Sequence, residues 1–262
     1  MIVIVKKQTL RLLAMIGEYV SLSFGVFAEA FRHPPSWRLI REQLYHIGVM
    51  SLSVVAITGF TTGFVLAAQS FYQLGSKGLA GVTGVMVAKS MITELGPILT
   101  AFMVTGRVGS SMCAELSTMK VTEQIDALKS MAVSPSRYLV APRFIAGIFM
   151  MPLLTLFSIT MGVFGGYLIA VYLFHMSPVT YFDPMKLHIT LFDVASGLIK
   201  AFIFGILIVT VCCYKGLKAS GGAAGVGKST TQSVVTSYVL ILISDFLLTM
   251  ALNMINQQMK TL

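Results

Sequence analysis

Three ionisable residues, Glu94, Lys200 and Asp245, stand within long apolar stretches of this sequence. A charge at the centre of a bilayer costs about 2.5–3.5 kcal/mol on insertion scales, so it needs a protein or water environment and a partner. Counted from the same end of their stretches, all three lie about 14 Å deep at about 1.5 Å per residue. We therefore predict that they form an intramembrane ion cluster. Lys89, further outward, could offset its excess negative charge.

The segment from Gly222 to Ser229 fits the phosphate-loop pattern G-x-x-x-x-G-K-S. A phosphate loop follows a buried strand, and a carboxylate elsewhere holds its Mg²⁺. Here a basic stretch, Lys215 to Lys218, precedes the pattern and an apolar stretch follows it. We predict a small-residue turn, capped by Ser229 and Thr230, and no ATP binding by this chain.

The cysteines and histidines indicate no metal centre, cofactor or disulfide framework. The three cysteines are an odd number, two of them are adjacent, and the four histidines lack the spacing of metal ligands. Neither set forms a nucleophile and base pair in the sequence pattern. We therefore predict that this chain has no catalytic residues and is not an enzyme by itself.

Composition predicts the elements that must position the three charges. Hydrophobic residues make up 56% of the 262 residues, charged residues only 11%, and the mean hydropathy is +0.84. Soluble domains carry about 25% charged residues, so we predict an all-α integral membrane protein with a single domain over residues 1–262. Stretches long enough to span a bilayer cover residues 47–71, 84–106, 144–174, 191–214 and 234–254.

Two further segments are predicted to be amphipathic helices outside the hydrocarbon. Residues 9–32 carry an apolar stripe typical of a helix at the membrane surface, and Glu18 argues against a cleaved signal peptide there. Residues 107–134 are charged, yet Val121, Ile125 and Leu128 recur on one helical face, together with Ala132.

Most of the 19 Lys and Arg residues fall on the side of the N-terminus and of residues 107–134. The positive-inside rule then places the N-terminus in the cytoplasm and the C-terminus outside. The same rule explains the net charge of +9 without nucleic-acid binding. Pairs of glycines four residues apart, Gly59 with Gly63 and Gly162 with Gly166, predict close helix packing within one subunit or between two.

Four short motifs resemble the signature of MlaE-type permeases, the membrane subunits of Mla/Mce lipid-transport ABC systems. They are Glu94–Pro97, Gly106–Gly109, Ala114–Leu116 and Met119–Leu128. Ser196 with Lys200, and Ser244 with Asp245, also look like family features. Thr93 departs from the family, in which an arginine is expected before the glutamate.

The resemblance implies a homodimer bound to two ABC ATPase subunits, a periplasmic Mce-domain protein and a small STAS-like accessory subunit. The complex would move phospholipids between the inner and outer membranes of a bacterium, with this chain in the inner membrane. Lipid would occupy a cavity at the dimer interface, lined by spans one and five. The residues implied to couple the chain to the ATPase are Glu115, Met119, Lys120, Glu123, Gln124, Asp126 and Leu128.

Two other functions remain open at this point. The chain could be a secondary transporter or channel that acts alone, although such proteins often contain paired broken helices at the midplane. It could also be an assembly protein that transports nothing. Co-purification with an ATPase separates the first function from these two.

Overall fold

A computed structural model describes residues 17, 19, 25, 35–76 and 78–261. Throughout this part of the chain the regular structure is helical, and five helices are long and apolar enough to cross a membrane. The predicted fold class is therefore confirmed. The predicted surface helix over residues 9–32 lies outside the described residues, apart from three isolated positions.

Ten α-helices follow one another along the described chain, joined by short 3₁₀ and π-helical turns. They are α1 (Trp37–Ile47), α2 (Leu52–Gly75), α3 (Thr83–Ser90), α4 (Gly96–Val104), α5 (Ser110–Val121), α6 (Gln124–Ser130), α7 (Ala141–Leu168), α8 (Pro178–His188), α9 (Leu191–Leu217) and α10 (Gly222–Thr261). Span one is α2, span two is α3 to α5, and spans three, four and five are α7, α9 and α10. We call the two ends of this bundle the α8 end and the α6 end.

Span two is much longer than residues 84–106, because its helical path continues from Ala80 to Val121. The π-turns Met91–Leu95 and Thr105–Gly109 interrupt it without ending it. Within α5, one face is buried against α9 and α10, and its buried residues are Met112, Cys113, Leu116 and Ser117. This packing explains why the helix does not end near residue 106.

The single amphipathic helix predicted over residues 107–134 is therefore wrong. Its first part is α5, and the helical path ends where Glu123 takes a left-handed conformation with φ of 60°. A separate short helix, α6, follows, and its Ile125 is buried while Ala132 lies beyond its end with φ of 59°. Since the path turns at Glu123, Val121 does not share one continuous face with Ile125.

The helix α8 was not predicted from the sequence, because it is too short to span a bilayer. Its Tyr181 is fully buried and donates a hydrogen bond to the carbonyl oxygen of Val163, at 3.1 Å. Gly84 lies directly against the Tyr181 carbonyl, where a side chain would not fit. The helix α8 thus closes the bundle between the ends of spans two and three.

The helix α10 begins at Gly222, so the segment that matches the phosphate-loop pattern is helical. The predicted turn there is wrong, and Ser229 and Thr230 lie inside the helix instead of capping it. The hydroxyl of Thr230 donates to the carbonyl oxygen of Val226 at 2.8 Å, as serine and threonine do within helices. A phosphate loop needs a run of free backbone N–H groups, whereas from Val226 onward the N–H groups lie inside α10 and bond to the carbonyls of the helix itself.

The two glycine pairs pack against each other inside one subunit, because α2 crosses α7 through them. A Cβ atom on Gly59 would lie 2.6 Å from the carbonyl oxygen of Ser158, and Gly63 lies directly against the carbonyl oxygen of Gly162. On Gly166 a Cβ atom would lie 2.6 Å from the Tyr181 hydroxyl. We call this contact the glycine seam. Of the two alternatives, packing within one subunit and packing between two, it shows the first for Gly59 and Gly63.

Candidate functional site

The structure brings Glu94, Lys200 and Asp245 together from spans two, four and five. Lys200 is only 1% exposed. Its ammonium nitrogen lies 2.6 Å from Glu94 Oε2 and 3.1 Å from Asp245 Oδ1. Burial strengthens both ion pairs and makes the loss of one partner costly. This ion cluster therefore ties three of the five spans together.

The three ammonium hydrogens of Lys200 are all used, but none of them by Asp245. They are donated to Glu94 Oε2, to the carbonyl oxygen of Thr93 at 3.0 Å and to the hydroxyl of Thr249 at 2.7 Å. A lysine side chain has three donors. Asp245 Oδ1 is accordingly a buried oxygen with an ion-pair contact and, among the described residues, no hydrogen-bond donor.

Local backbone features place the cluster. Glu94 lies in the π-turn Met91–Leu95, and a π-turn shifts the helical face that its side chains occupy. Pro97 follows and has no N–H to continue the hydrogen-bonding pattern. On the opposite helix, Gly197 lies against the carbonyl oxygen of Ile92. This close approach of α9 to span two lets Lys200, one turn further on, reach Glu94.

A second ion pair lies beside the cluster. Lys89 Nζ is 4.0 Å from Asp193 Oδ1, and Asp193 is buried at the start of α9. There Thr190 and Asp193 form a reciprocal capping box. The sequence analysis missed Asp193, although the T-x-x-D pattern before an apolar run could have indicated it. The Lys89–Asp193 pair and the Glu94–Lys200 pair share a cavity of about 180 Å³, which Asn253 on α10 also lines.

The residues implied to couple the chain to an ATPase lie around the junction of α5 and α6. Glu115 on α5 forms an ion pair with the buried Arg143, at 2.9 Å. Hydrogen bonds from Lys120 (2.8 Å) and Lys129 (3.2 Å) hold the pKa of the Asp126 carboxyl below its ordinary value. Met119 and Leu128 pack partly against the core, whereas Glu123 and Gln124 are exposed. The junction thus presents polar groups on an apolar base.

Within the described part of the chain, no group of three or more His, Cys, Asp or Glu side chains could hold a metal ion. Cys113, Cys212 and Cys213 are buried free thiols. The ion cluster holds opposite charges together, with the Thr249 hydroxyl between Lys200 and Glu94. Its geometry therefore suits the joining of spans, or contact with a charged ligand.

Comparison with known proteins identifies the family of this bundle. The family model described as "Permease MlaE" matches residues 40–251, which cover spans one to four and most of span five. This chain belongs to the MlaE permease family. The resemblance found in the sequence motifs is thereby confirmed. Members of the MlaE family named in the comparisons are permease subunits of ABC transporters, which are not enzymes themselves.

Three relatives show how far the similarity extends. A protein of Rickettsia typhi, named as a probable ABC transporter permease, is 42% identical over 246 residues, or 94% of this chain and 95% of the relative. A Synechocystis protein of the same name is 38% identical and covers 86% of this chain and 88% of the relative. The intermembrane phospholipid transport system permease MlaE of Haemophilus influenzae is 32% identical, covering 93% and 94%.

We expect Lys228→Ala to leave ATP hydrolysis by an assembled complex unchanged, because Lys228 lies within a helix. The measurement is ATPase activity in detergent beside the unmodified complex. The isolated chain is expected to show no shift in thermal unfolding on addition of ATP. Stoichiometric ATP binding by the isolated chain would contradict this prediction.

Proposed function

We propose that this chain is the permease subunit of a transporter that moves phospholipids between the inner and outer membranes of a bacterium. The observation that carries the proposal is the match to the MlaE family model over residues 40–251. The name of the Haemophilus influenzae relative, an intermembrane phospholipid transport system permease, suggests the substrate. The proposed location is the inner membrane, with a cytoplasmic N-terminus and a periplasmic C-terminus.

The proposed partners are a second copy of this chain, ABC ATPase subunits, a periplasmic Mce-domain protein and a small STAS-like subunit. Co-purification in mild detergent, followed by lipid mass spectrometry, tests the proposal. An ATPase and bound phospholipid are expected together. A chain that purifies without any ATPase, yet moves a solute down an ion gradient, would instead be a secondary transporter.

The dimer contact is proposed on α10, since the Gly59 and Gly63 face of α2 is used for packing against α7 within the subunit. Only 11% of the apolar part of α10 is buried, against 56% for α9. Its exposed apolar side chains extend along most of its length: Val235, Val239, Leu242, Ile243, Phe246, Leu247, Met250, Met254, Ile255 and Met259. This surface is large enough to contact both a partner helix and lipid acyl chains.

The junction of α5 and α6 is proposed as the ATPase docking surface. Glu123, where the chain turns, is exposed, and it connects to span two through the unbroken path that ends at Val121. The exposed carboxylate of Asp126 lies between Lys120 and Lys129. A movement of a docked partner would therefore act directly on the helix that carries Glu94.

We expect the double change Glu123→Lys and Asp126→Lys to weaken ATPase binding at least about tenfold, since like-charge contacts at an interface cost several kcal/mol. Affinity is measured by co-purification and by titration of the ATPase. The matched control is Asp183→Lys on α8, an exposed carboxylate at the opposite end of the bundle. Normal ATPase binding by the double variant would show that this junction is not the docking surface.

A further inference from the structure

A second polar cavity lies near the α6 end, between α1 and the part of span two that is nearest this end. Its volume is about 470 Å³, within the range of about 300–1,000 Å³ that is usual for ligand pockets. Two faces line it, mostly with charged and polar side chains but also with three apolar ones: Glu42, Gln43, His46 and Met50 on the α1 side, and Arg107, Val108, Ser111, Met112 and Glu115 on span two.

The positively and negatively charged side chains of this cavity lie at different depths in the membrane. Arg107, Ser111 and Glu115 recur at four-residue intervals on one face of span two. Arg107 is therefore nearer the membrane centre than Glu115, by about 12 Å at about 1.5 Å per residue. Arg107 Nη1 donates to Ser51 Oγ at 3.3 Å, which places the guanidinium where α2 begins. Glu42, earlier on α1, lines the same cavity as Glu115.

The carboxylates that line the cavity are paired with other arginines, so among the described residues the charge of Arg107 has no partner of opposite sign there. Glu115 is paired with the buried Arg143 at 2.9 Å. Glu42 is paired with Arg38 at 3.5 Å, with both side chains mostly exposed, and such surface pairs contribute little. Within the described residues, Arg107 has the bond to Ser51 and no carboxylate within ion-pair distance. An anion fits beside Arg107, and a cation fits near the carboxylates.

The helix α1, which forms one side of the cavity, carries exposed aromatic side chains. Tyr45 and Trp37 on α1 are 53% and 72% exposed, and tyrosine and tryptophan favour the level of lipid headgroups. Val49 and Met50, beside the cavity, are exposed apolar residues that suit contact with acyl chains. The cavity thus combines a polar interior with an apolar edge that faces the bilayer.

We propose that this cavity binds the headgroup of a phospholipid that carries a primary amine, from the leaflet at the α6 end. The phosphodiester lies against Arg107 and Ser111, and the ammonium lies against the carboxylates of Glu42 and Glu115. In such a lipid the phosphate is nearer the hydrocarbon and the ammonium further out, which is the order of charges in the cavity. This inference depends on the membrane placement of the bundle and not on its transport activity.

Zero-length crosslinking tests the proposal directly. The full-length protein is placed in phosphatidylcholine bilayers with added phosphatidylethanolamine, and a water-soluble carbodiimide is applied. The carbodiimide adds to a carboxylate and activates it. The lipid amine then attacks the activated carbonyl carbon to form an amide, and the carbodiimide is released as a urea. Peptide mass spectrometry is expected to find the lipid amide on Glu42 or Glu115 well above its level on the exposed Asp183.

Arg107→Gln is expected to lower this amide yield about tenfold, the effect of losing one hydrogen bond to a charged group. Arg107→Lys keeps a cation and is expected to retain most of the yield. The matched control is Arg41→Gln, since Arg41 is exposed on α1, the helix that carries Glu42, and does not line the cavity. An equal yield in Arg107→Gln and in unmodified protein would overturn the proposal.

The source of the headgroup is tested with a soluble probe. Protein in bilayers of phosphatidylcholine alone is treated with carbodiimide and glycerophosphoethanolamine. Weak labelling by this probe, compared with the lipid, supports a membrane ligand. Labelling as strong as that by the lipid would overturn the assignment to a lipid, because the site would then take its ligand from water. Neither result depends on ATP or on transport, so the proposed function can fail separately.

Discussion

Lys200→Met is expected to destabilise the protein by up to about 3–5 kcal/mol, the cost of breaking a buried ion pair by removing one partner, because two partly exposed carboxylates within the spans lose their buried cation. Lys200 is the shared partner of Glu94 at 2.6 Å and Asp245 at 3.1 Å, so one substitution breaks both ion pairs. The measurement is the unfolding midpoint in detergent, together with the yield of folded protein in membranes.

The triple variant Lys200→Met, Glu94→Gln, Asp245→Asn is expected to recover part of this loss, because no unpaired charge remains. The single carboxylate changes are expected to differ. Glu94→Gln costs more than Asp245→Asn, since Glu94 accepts a hydrogen bond from Lys200 and Asp245 does not. A triple variant no more stable than Lys200→Met would show that the ion pairs do not explain the loss. Recovered stability without recovered lipid transport would assign the cluster a role in transport.

Gly63→Leu is expected to destabilise the fold by about 3 kcal/mol or more, at the upper end of the cost of overpacking a core. Gly63 lies directly against the carbonyl oxygen of Gly162, and the backbone of α7 cannot move aside as a flexible side chain could. Even Gly63→Ala should lower the unfolding midpoint. The matched control is Gly75→Ala at the end of α2, which has open space around it and gains helix propensity.

The same pair of variants separates packing within a subunit from packing between subunits. Since the glycine seam joins α2 to α7 of one chain, Gly63→Ala is expected to lower stability without dissociating a dimer first. Native mass spectrometry at a series of temperatures gives the order of the two events. Dissociation into folded monomers before unfolding would place Gly63 at the subunit interface.

Simple physical limits made much of this structure predictable. A bilayer sets the length of a span, so the five spans follow from apolar stretches, and α9 (Leu191–Leu217) lies close to the predicted residues 191–214. The cost of a buried charge, together with equal depths, was enough to group Glu94, Lys200 and Asp245, which the structure places within ion-pair distance. Both arguments depend on the nearly constant thickness of the bilayer.

Other features depend on tertiary contacts that periodicity does not contain. Glycines four residues apart indicate a close helix contact, but they do not identify the partner helix, and here it is α7 of the same chain. The left-handed turn at Glu123 divides a stretch whose apolar pattern suggested one helix. The short helix α8 is held by the burial of Tyr181 against spans two and three, and no local pattern requires it.

The ion cluster also constrains how the chain is made. Glu94 and Lys200 are 106 residues apart, so at about 5–20 residues per second the ribosome needs roughly 5–20 s to supply the cation after the carboxylate. Asp245 is made later still. During that interval span two must enter the membrane with a lone carboxylate, at a cost of a few kcal/mol. The nascent helix therefore depends on its apolar residues, or on a membrane insertase, to hold it until span four arrives.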